Sequence, residues 1–170
     1  VGVFAGARQQ PQGSRQADLI VSGGTVVTAD AGHRVIADGA VAIAGSDIVG
    51  VDTADAIRRE FRASDTIDAK NGVIMPGLIN THTHAPMVYF RGLADDLALT
   101  EWLNNYIFPA EAKMVSPEFV RAGTRLAALE MIQSGTTTFA DMYYFEEEIA
   151  KQTRAAGLRG VLGQTVIQFP

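Results

Sequence analysis

An apolar run that ends in two histidines lies near the middle of the chain: Val73-Ile74-Met75-Pro76-Gly77-Leu78-Ile79-Asn80-Thr81-His82-Thr83-His84. The Pro76-Gly77 pair predicts the start of a strand, because proline is tolerated at a strand's first residue but not within its ladder. Successive side chains on a strand point to opposite faces, so His82 and His84 project the same way and can reach one ion. Neutral imidazole suits zinc, iron or nickel. The stretch therefore predicts a metal site at a strand end, while coincidence or a solvated loop remains the alternative for an isolated His-x-His.

Short β-type runs separated by turn residues precede this stretch. Leu19–Val21 and Thr25–Thr28 flank Ser22-Gly23-Gly24, which predicts a hairpin. Gly45-Ser46-Asp47 predicts a second hairpin between two further runs. The remaining elements of this part are a short helix over Ala54–Phe61 and a strand over Thr66–Ala69. Residues 17–72 therefore predict part of a small β-sandwich.

Strands alternate with longer helices after residue 72. Ser116-Pro117-Glu118 predicts a helix start, with a cap, a proline at the first position and an acid in the first turn, and Gly135 predicts the end of that helix. The next predicted elements are a strand over Thr136–Ala140, a helix over Glu146–Ala156 closed by Gly157, and a strand within residues 161–167. This α/β order implies parallel pairing. A complete (β/α)₈ barrel needs about 250 residues, so residues 73–170 are expected to form only its N-terminal part.

Composition excludes several classes of function. The net charge is -5 and the pI is near 5.1, and no Lys/Arg cluster is present, which argues against nucleic-acid binding. No apolar run approaches the roughly 18 residues of a membrane span. The chain has no cysteine, which excludes a disulfide framework, a cysteine nucleophile and every thiolate metal site.

The first residues of the chain do not decide its cellular compartment. The chain begins at Val1, and the run up to Ala5-Gly6-Ala7 resembles the end of a signal peptide with its cleavage site. A polar leader would then follow. A disordered N-terminal extension is the equal alternative, so residues 1–16 are interpreted as a leader or a signal-peptide remnant.

The chain resembles a known family from about Asp18 to its end. Met75–His84 resembles the first-strand motif of the amidohydrolase superfamily, and Asp18–Thr28 resembles the opening strands of the sandwich domain that accompanies the barrel there. Arg91–Leu97 and Glu101–Leu103 narrow the resemblance to the methylthioadenosine/S-adenosylhomocysteine deaminase group and its chlorohydrolase-like relatives.

This resemblance implies a metal-dependent aminohydrolase that deaminates a purine nucleoside. It implies one divalent ion, first of all Zn²⁺ with Fe²⁺ or Ni²⁺ as alternatives, with His82 and His84 among its ligands. The remaining ligands and the general acid/base are expected beyond Pro170, so no catalytic residue is assigned here, and the segment alone is expected to be inactive. The resemblance also implies a homo-oligomer that needs the rest of the barrel, and a cytoplasmic location unless the signal-peptide interpretation holds.

Three further residues bear on the substrate, and a fourth bears on the site itself. Glu111, in the Phe-Pro-Ala-Glu context of residues 108–111, matches a glutamate that holds ribose hydroxyls in the nucleoside deaminases. Trp102 is a weaker candidate that could stack on a base, although core packing is its more common role. Gln164 stands where some relatives have an arginine, which disfavours a substrate with a carboxylate tail. Asp141 could support the site or cap a helix.

Two other functions stay open. The same metal chemistry could dechlorinate or deaminate a triazine-like ring. The chain could also belong to a non-catalytic relative that keeps the fold as a binding module. Absence of the two further histidines or the aspartate that the family needs beyond Pro170 would favour this alternative.

Overall fold

The computed structural model describes residues 14–166, which form two compact units that divide between Pro76 and Gly77. The leader interpretation falls almost wholly outside these residues, as does Ala5-Gly6-Ala7, and Arg15 already belongs to the first strand. Within the described range, none of the helices has the length and apolar composition that crossing a membrane requires.

The first unit is a five-stranded sheet with one helix. Its elements are, in chain order, β1 (Arg15–Val27), β2 (Val35–Ala44), β3 (Asp47–Thr53), α1 (Ala54–Glu60), β4 (Phe61–Asp68) and β5 (Val73–Ile74). The strand order is β3-β2-β1-β4, and β5 also pairs with β1. The pairs β1-β2 and β2-β3 are antiparallel, whereas β4 and β5 run parallel to β1. Ile57 and Phe61 are buried in the core of this unit, so the predicted helix and its apolar face are confirmed.

The prediction of a hairpin at Ser22-Gly23-Gly24 is wrong, because β1 continues through these residues as one strand. The backbone around these glycines forms hydrogen bonds with residues 71–72. Gly23 O accepts a hydrogen bond from Asn71 N, and Gly72 O accepts one from Thr25 N. A Cβ on Gly24 would lie 2.4 Å from the Gly72 oxygen. The glycines therefore permit a close approach of residues 69–72 rather than a turn. The second predicted hairpin, around Gly45, is confirmed by β2 and β3.

The second unit is a three-stranded parallel sheet with helical crossovers. Its elements are β6 (Leu78–Thr83), a 3₁₀ helix (Ala85–Phe90), α2 (Leu99–Trp102), a π-helical turn (Leu103–Ile107), α3 (Phe108–Met114), α4 (Pro117–Gln133), β7 (Thr136–Tyr143), α5 (Glu146–Ala156) and β8 (Arg159–Gln164). The strand order is β6-β7-β8. The predicted alternation of strands and helices and the parallel pairing are confirmed. Since crossovers of this kind carry each strand in the same direction, all three strands end at one edge of the sheet.

The long helices begin and end where the sequence predicts. The Ser116 hydroxyl caps α4 by accepting a hydrogen bond from Phe119 N at 3.1 Å. Gly157 ends α5 in the left-handed conformation, with φ of 75°. The buried face of α4 consists of small residues and one valine: Val120, Gly123, Thr124, Ala127 and Ala128. A Cβ on Gly123 would lie 2.7 Å from Pro86 O, so this glycine lets the helix lie directly on the 3₁₀ helix.

Candidate functional site

The two histidines lie together at the C-terminal end of β6. His82 belongs to the strand and His84 is the first residue beyond it. Their Nε2 atoms are 3.4 Å apart, and their rings are nearly perpendicular at 82°. The predicted same-side projection is therefore observed, and two ring nitrogens converge on one point at the edge where the parallel strands end.

The His84 ring is oriented by the neighbouring strand. Its Nδ1 lies 2.6 Å from the carbonyl oxygen of Met142 in β7, and a carbonyl can only accept, so Nδ1 carries the hydrogen. The Nε2 atom of a neutral ring then holds a lone pair that points toward His82. Metal-ligating histidines are commonly fixed in this way by a hydrogen bond from the other ring nitrogen.

A cavity of about 210 Å³ lies beside His84, and the two predicted substrate-binding residues also line it. Glu111 and Trp102 line this cavity with His84. Both residues come from the helical segment that follows β6: Trp102 ends α2, and Glu111 lies in the first turn of α3. The π-helical turn lies between them and contributes Leu103 and Ile107 to the cavity wall. Such turns occur often at functional sites.

Glu111 is a buried carboxylate with one neutral partner. Its side chain is 9% exposed, and its Oε1 accepts a hydrogen bond of 2.7 Å from the Tyr143 hydroxyl. Burial and the Glu111 carboxylate raise the pKa of the Tyr143 hydroxyl, so this group remains a donor throughout the neutral range. The hydrogen bond from Tyr143 thus engages one of the two carboxylate oxygens of Glu111.

Gln164 ends β8 and lines a second cavity of about 500 Å³ that Glu111 also lines. Its Oε1 accepts a hydrogen bond from Glu146 N at 3.2 Å. The polar lining of this cavity is Glu111, Glu147 and Gln164, among the described residues, and the rest is apolar or aromatic. The polar groups of the cavity wall are therefore two carboxylates and one neutral amide.

The sequence left two roles open for Asp141 on β7, support of the site or a helix cap. Phe139, Asp141 and Tyr143 alternate along this strand and are all buried, which places an acid where an apolar residue is expected. That period-two pattern was the available signal. Asp141 does not cap α5, because Phe145 precedes that helix. Its role in the second unit is instead to contact the residues around His84.

The described residues do not by themselves form a complete metal site. Within residues 14–166, no group of three or more His, Asp or Glu side chains is arranged to hold an ion. A catalytic zinc site commonly has three protein ligands and a water. Two histidines alone fall short of that number.

A family model for the amidohydrolase family matches residues 73–170. The chain belongs to the amidohydrolase family. It is 53% identical over 153 residues to the 5-methylthioadenosine/S-adenosylhomocysteine deaminase 1 of Syntrophus aciditrophicus. The aligned residues cover 90% of this chain and 34% of that protein. It is 50% identical to the 5'-deoxyadenosine deaminase of Methanococcoides burtonii, again over 90% of this chain and 34% of the relative.

A solved structure is similar in fold as well as in sequence. The zinc-bound adenosine deaminase from Xanthomonas campestris superposes with a TM-score of 0.84 at 38% identity, over 87% of this chain and 34% of that one. The resemblance seen in the sequence is confirmed. The chain spans about a third of the length of these relatives.

Proposed function

We propose that the full-length protein is a metal-dependent aminohydrolase that deaminates an adenosine-type nucleoside. The observation that carries this proposal is the 3.4 Å separation of the His82 and His84 Nε2 atoms. Two zinc–nitrogen bonds of about 2.05 Å at a tetrahedral angle separate their nitrogens by about 3.3 Å. The histidine pair therefore fits one divalent ion without rearrangement, and Zn²⁺ is the first choice, with Fe²⁺ or Ni²⁺ as alternatives.

We propose that the second unit is the beginning of a (β/α)₈ barrel, and that the first unit is part of a β-sandwich. Parallel strands joined by helices, with the histidines at the C-terminal edge, support the barrel, because active sites in that fold lie at that edge. In this proposal the sandwich begins at residue 17 and includes β5, which pairs with β1, so the barrel begins with β6 and not at residue 73, where the sequence predicts its start. The remaining metal ligands and the general acid/base belong to the rest of the full-length protein.

The proposed substrate follows from Glu111 and from the names of the relatives. Adenosine, 5'-deoxyadenosine and methylthioadenosine share an amino-substituted purine and a ribose diol. The Glu111 carboxylate accepts hydrogen bonds from the hydroxyl groups of the diol, in addition to the one that Tyr143 donates to its Oε1. Trp102, on the same cavity wall, is the weaker candidate for contact with the base. A small nucleoside is the partner that this site requires, and a homo-oligomeric state stays a prediction.

When bound, the ion supplies Lewis acidity that lowers the pKa of a coordinated water to about 7. The described residues contribute positioning. His84 is kept in one tautomer by the Met142 carbonyl, and Glu111 fixes the sugar at the cavity beside it. Orientation of this kind converts binding energy into rate.

The test uses full-length protein with the double variant His82→Ala, His84→Ala. We expect it to lose more than half of the bound metal and its release of ammonia from adenosine-type nucleosides. His33→Asn is the matched control, because His33 lies exposed in a turn of the first unit at φ of 46°, a conformation that asparagine tolerates. Retention of most of the metal in a correctly folded double variant would contradict the proposal.

A further inference from the structure

The segment that carries His84 has little backbone support of its own. The pairing of β6 with β7 is irregular between Asn80 and Thr83, and the strand ends at Thr83. His84 then adopts φ of -126° and ψ of 74°, and the chain turns into the 3₁₀ helix at Ala85. Contacts from outside β6 must therefore fix the position of the second histidine.

Asp141 provides those contacts from the neighbouring strand. Its Oδ1 accepts a hydrogen bond of 3.0 Å from the Thr83 hydroxyl and one of 2.7 Å from the Ala85 backbone N–H. These donors lie immediately before and after His84. The next residue of β7, Met142, accepts from the His84 ring itself. Two consecutive residues of β7 thus hold the backbone and the imidazole of one histidine.

Asp141 is itself held by burial and by the two donors that it accepts from. It is 5% exposed, and neither its Oδ2 nor the Oε2 of the buried Glu146 has a donor partner among the described residues. Glu146 Oε1 accepts a hydrogen bond from Tyr143 N, which anchors that carboxyl group to β7. The Thr83 hydroxyl and the Ala85 N–H both point at Asp141 Oδ1, which fixes the rotation of the carboxyl group. The Asp141 side chain therefore has a fixed orientation.

The geometry points to Asp141 as a positioning residue that holds the segment His82-Thr83-His84, at the end of β6, in its metal-binding conformation. This inference rests on the proposed function, since it needs the histidines to be ligands. Asp141 acts through the backbone and the Thr83 hydroxyl and does not touch the ion. A residue of this type commonly changes metal affinity by about 10- to 100-fold when it is replaced.

The experiment measures metal affinity by competition with a chelator in full-length Asp141→Ala, Asp141→Asn and Thr83→Val proteins. We expect about a 10- to 100-fold loss in Asp141→Ala, and a smaller loss in Asp141→Asn because an amide oxygen can still accept from both donors. Thr83→Val removes a single donor with little change of shape, and we expect it to weaken binding several-fold. This milder variant keeps the test informative if Asp141→Ala fails to fold.

A second readout is independent of the ion. Hydrogen exchange of the Ala85 amide in metal-free protein should accelerate at least tenfold in Asp141→Ala relative to wild type, because its acceptor is lost. Ile149→Ala is the control for destabilisation alone, since Ile149 is fully buried in the same core and does not contact β6 through a hydrogen bond. We expect its folded form to bind metal with unchanged affinity.

The outcomes separate this inference from the function on which it rests. If Asp141→Ala and Thr83→Val bind metal as tightly as wild type while His84→Ala does not, the positioning role is wrong and the metal site stands. The role is also wrong if the Ala85 amide exchanges at the wild-type rate in Asp141→Ala. If His84→Ala retains its metal, the metal assignment and the inference both fail.

Discussion

Replacement of Glu146 by glutamine should change the pH dependence of stability. Glu146 is 7% exposed, and burial together with the charge of Asp141 raises its pKa from 4.5 to about 7. The nearby Glu147 acts in the same direction, whereas the hydrogen bond from Tyr143 N opposes it. Because the folded state binds the proton more tightly, the stability that this group contributes is full below pH 4.5 and is lost as the pH rises to about 7.

The size of the effect follows from the difference between the two pKa values. Each unit corresponds to 1.36 kcal/mol, so the loss between pH 4.5 and 7 is on the order of 3 kcal/mol for an isolated group. This is an upper limit, because Asp141 shares the proton and its pKa is also raised by burial. Glutamine resembles the protonated acid: it can donate to Asp141 and accept from Tyr143 N. Glu146→Gln should therefore match wild type near pH 5 and exceed it near pH 8.

The assay is denaturant unfolding of metal-free full-length protein near pH 5 and near pH 8, with wild type and variant compared at each pH. Metal-free protein is used so that the pH dependence of metal binding does not contribute to the measured stability. Glu118→Gln is the control, since Glu118 lies exposed in the first turn of α4 and its removal should have the same effect at both pH values. A stability difference between Glu146→Gln and wild type that is equal at the two pH values would refute the reasoning.

Three further results are expected. Glu111→Gln keeps the acceptor for Tyr143 but loses the charge, so it should raise KM or lower kcat/KM for nucleosides at unchanged metal content, and equal activity on adenosine-type substrates would contradict it. Because the cavity beside Gln164 has no cation among its described lining residues, adenosine and methylthioadenosine should outrank S-adenosylhomocysteine in an ammonia-release assay, and 2′,3′-dideoxyadenosine should be poorer by as much as about 10⁴-fold. Reaction of a chlorotriazine without any nucleoside would favour the alternative function. Phe139→Ala should lower the free energy of unfolding by about 3–5 kcal/mol, measured with urea, because the ring is 1% exposed within the core of the second unit; a loss below 1 kcal/mol would show that the core closes over the space.

The sequence predicted those elements whose ends are set by local chemistry. Ser116 and Gly157 mark helix ends through hydrogen bonds and backbone conformations that neighbouring residues determine, and both predictions are confirmed. The hairpin prediction at Gly23 and Gly24 was wrong because a glycine pair is equally compatible with a turn and with the close approach of another backbone segment. Only the position of residues 69–72, distant in sequence, distinguishes the two. Local patterns therefore sufficed for helices, but not for the path of β1.

The same distinction applies to the site. His82 and His84 are two residues apart on one strand, so their convergence followed from strand geometry alone. The contacts of Asp141 with Thr83 and Ala85 span 58 and 56 residues, and they depend on the register between β6 and β7. Nothing local fixes that register. The sequence could therefore offer support of the site only as one of two roles for Asp141, and the choice between that role and a helix cap needed the structure.

The π-helical turn at Leu103–Ile107 sets the angle between Trp102 and Glu111. A π turn completes its rotation with one residue more than an α-helical turn, so it absorbs that residue without changing the phase of the helices on either side. Winding the same number of residues as a uniform α-helix would turn Trp102 about 100° around the helix axis relative to Glu111. The two side chains could then no longer line one cavity. The extra residue held in the turn thus decides whether the proposed base and sugar contacts face the same space, although neither contact residue belongs to the turn.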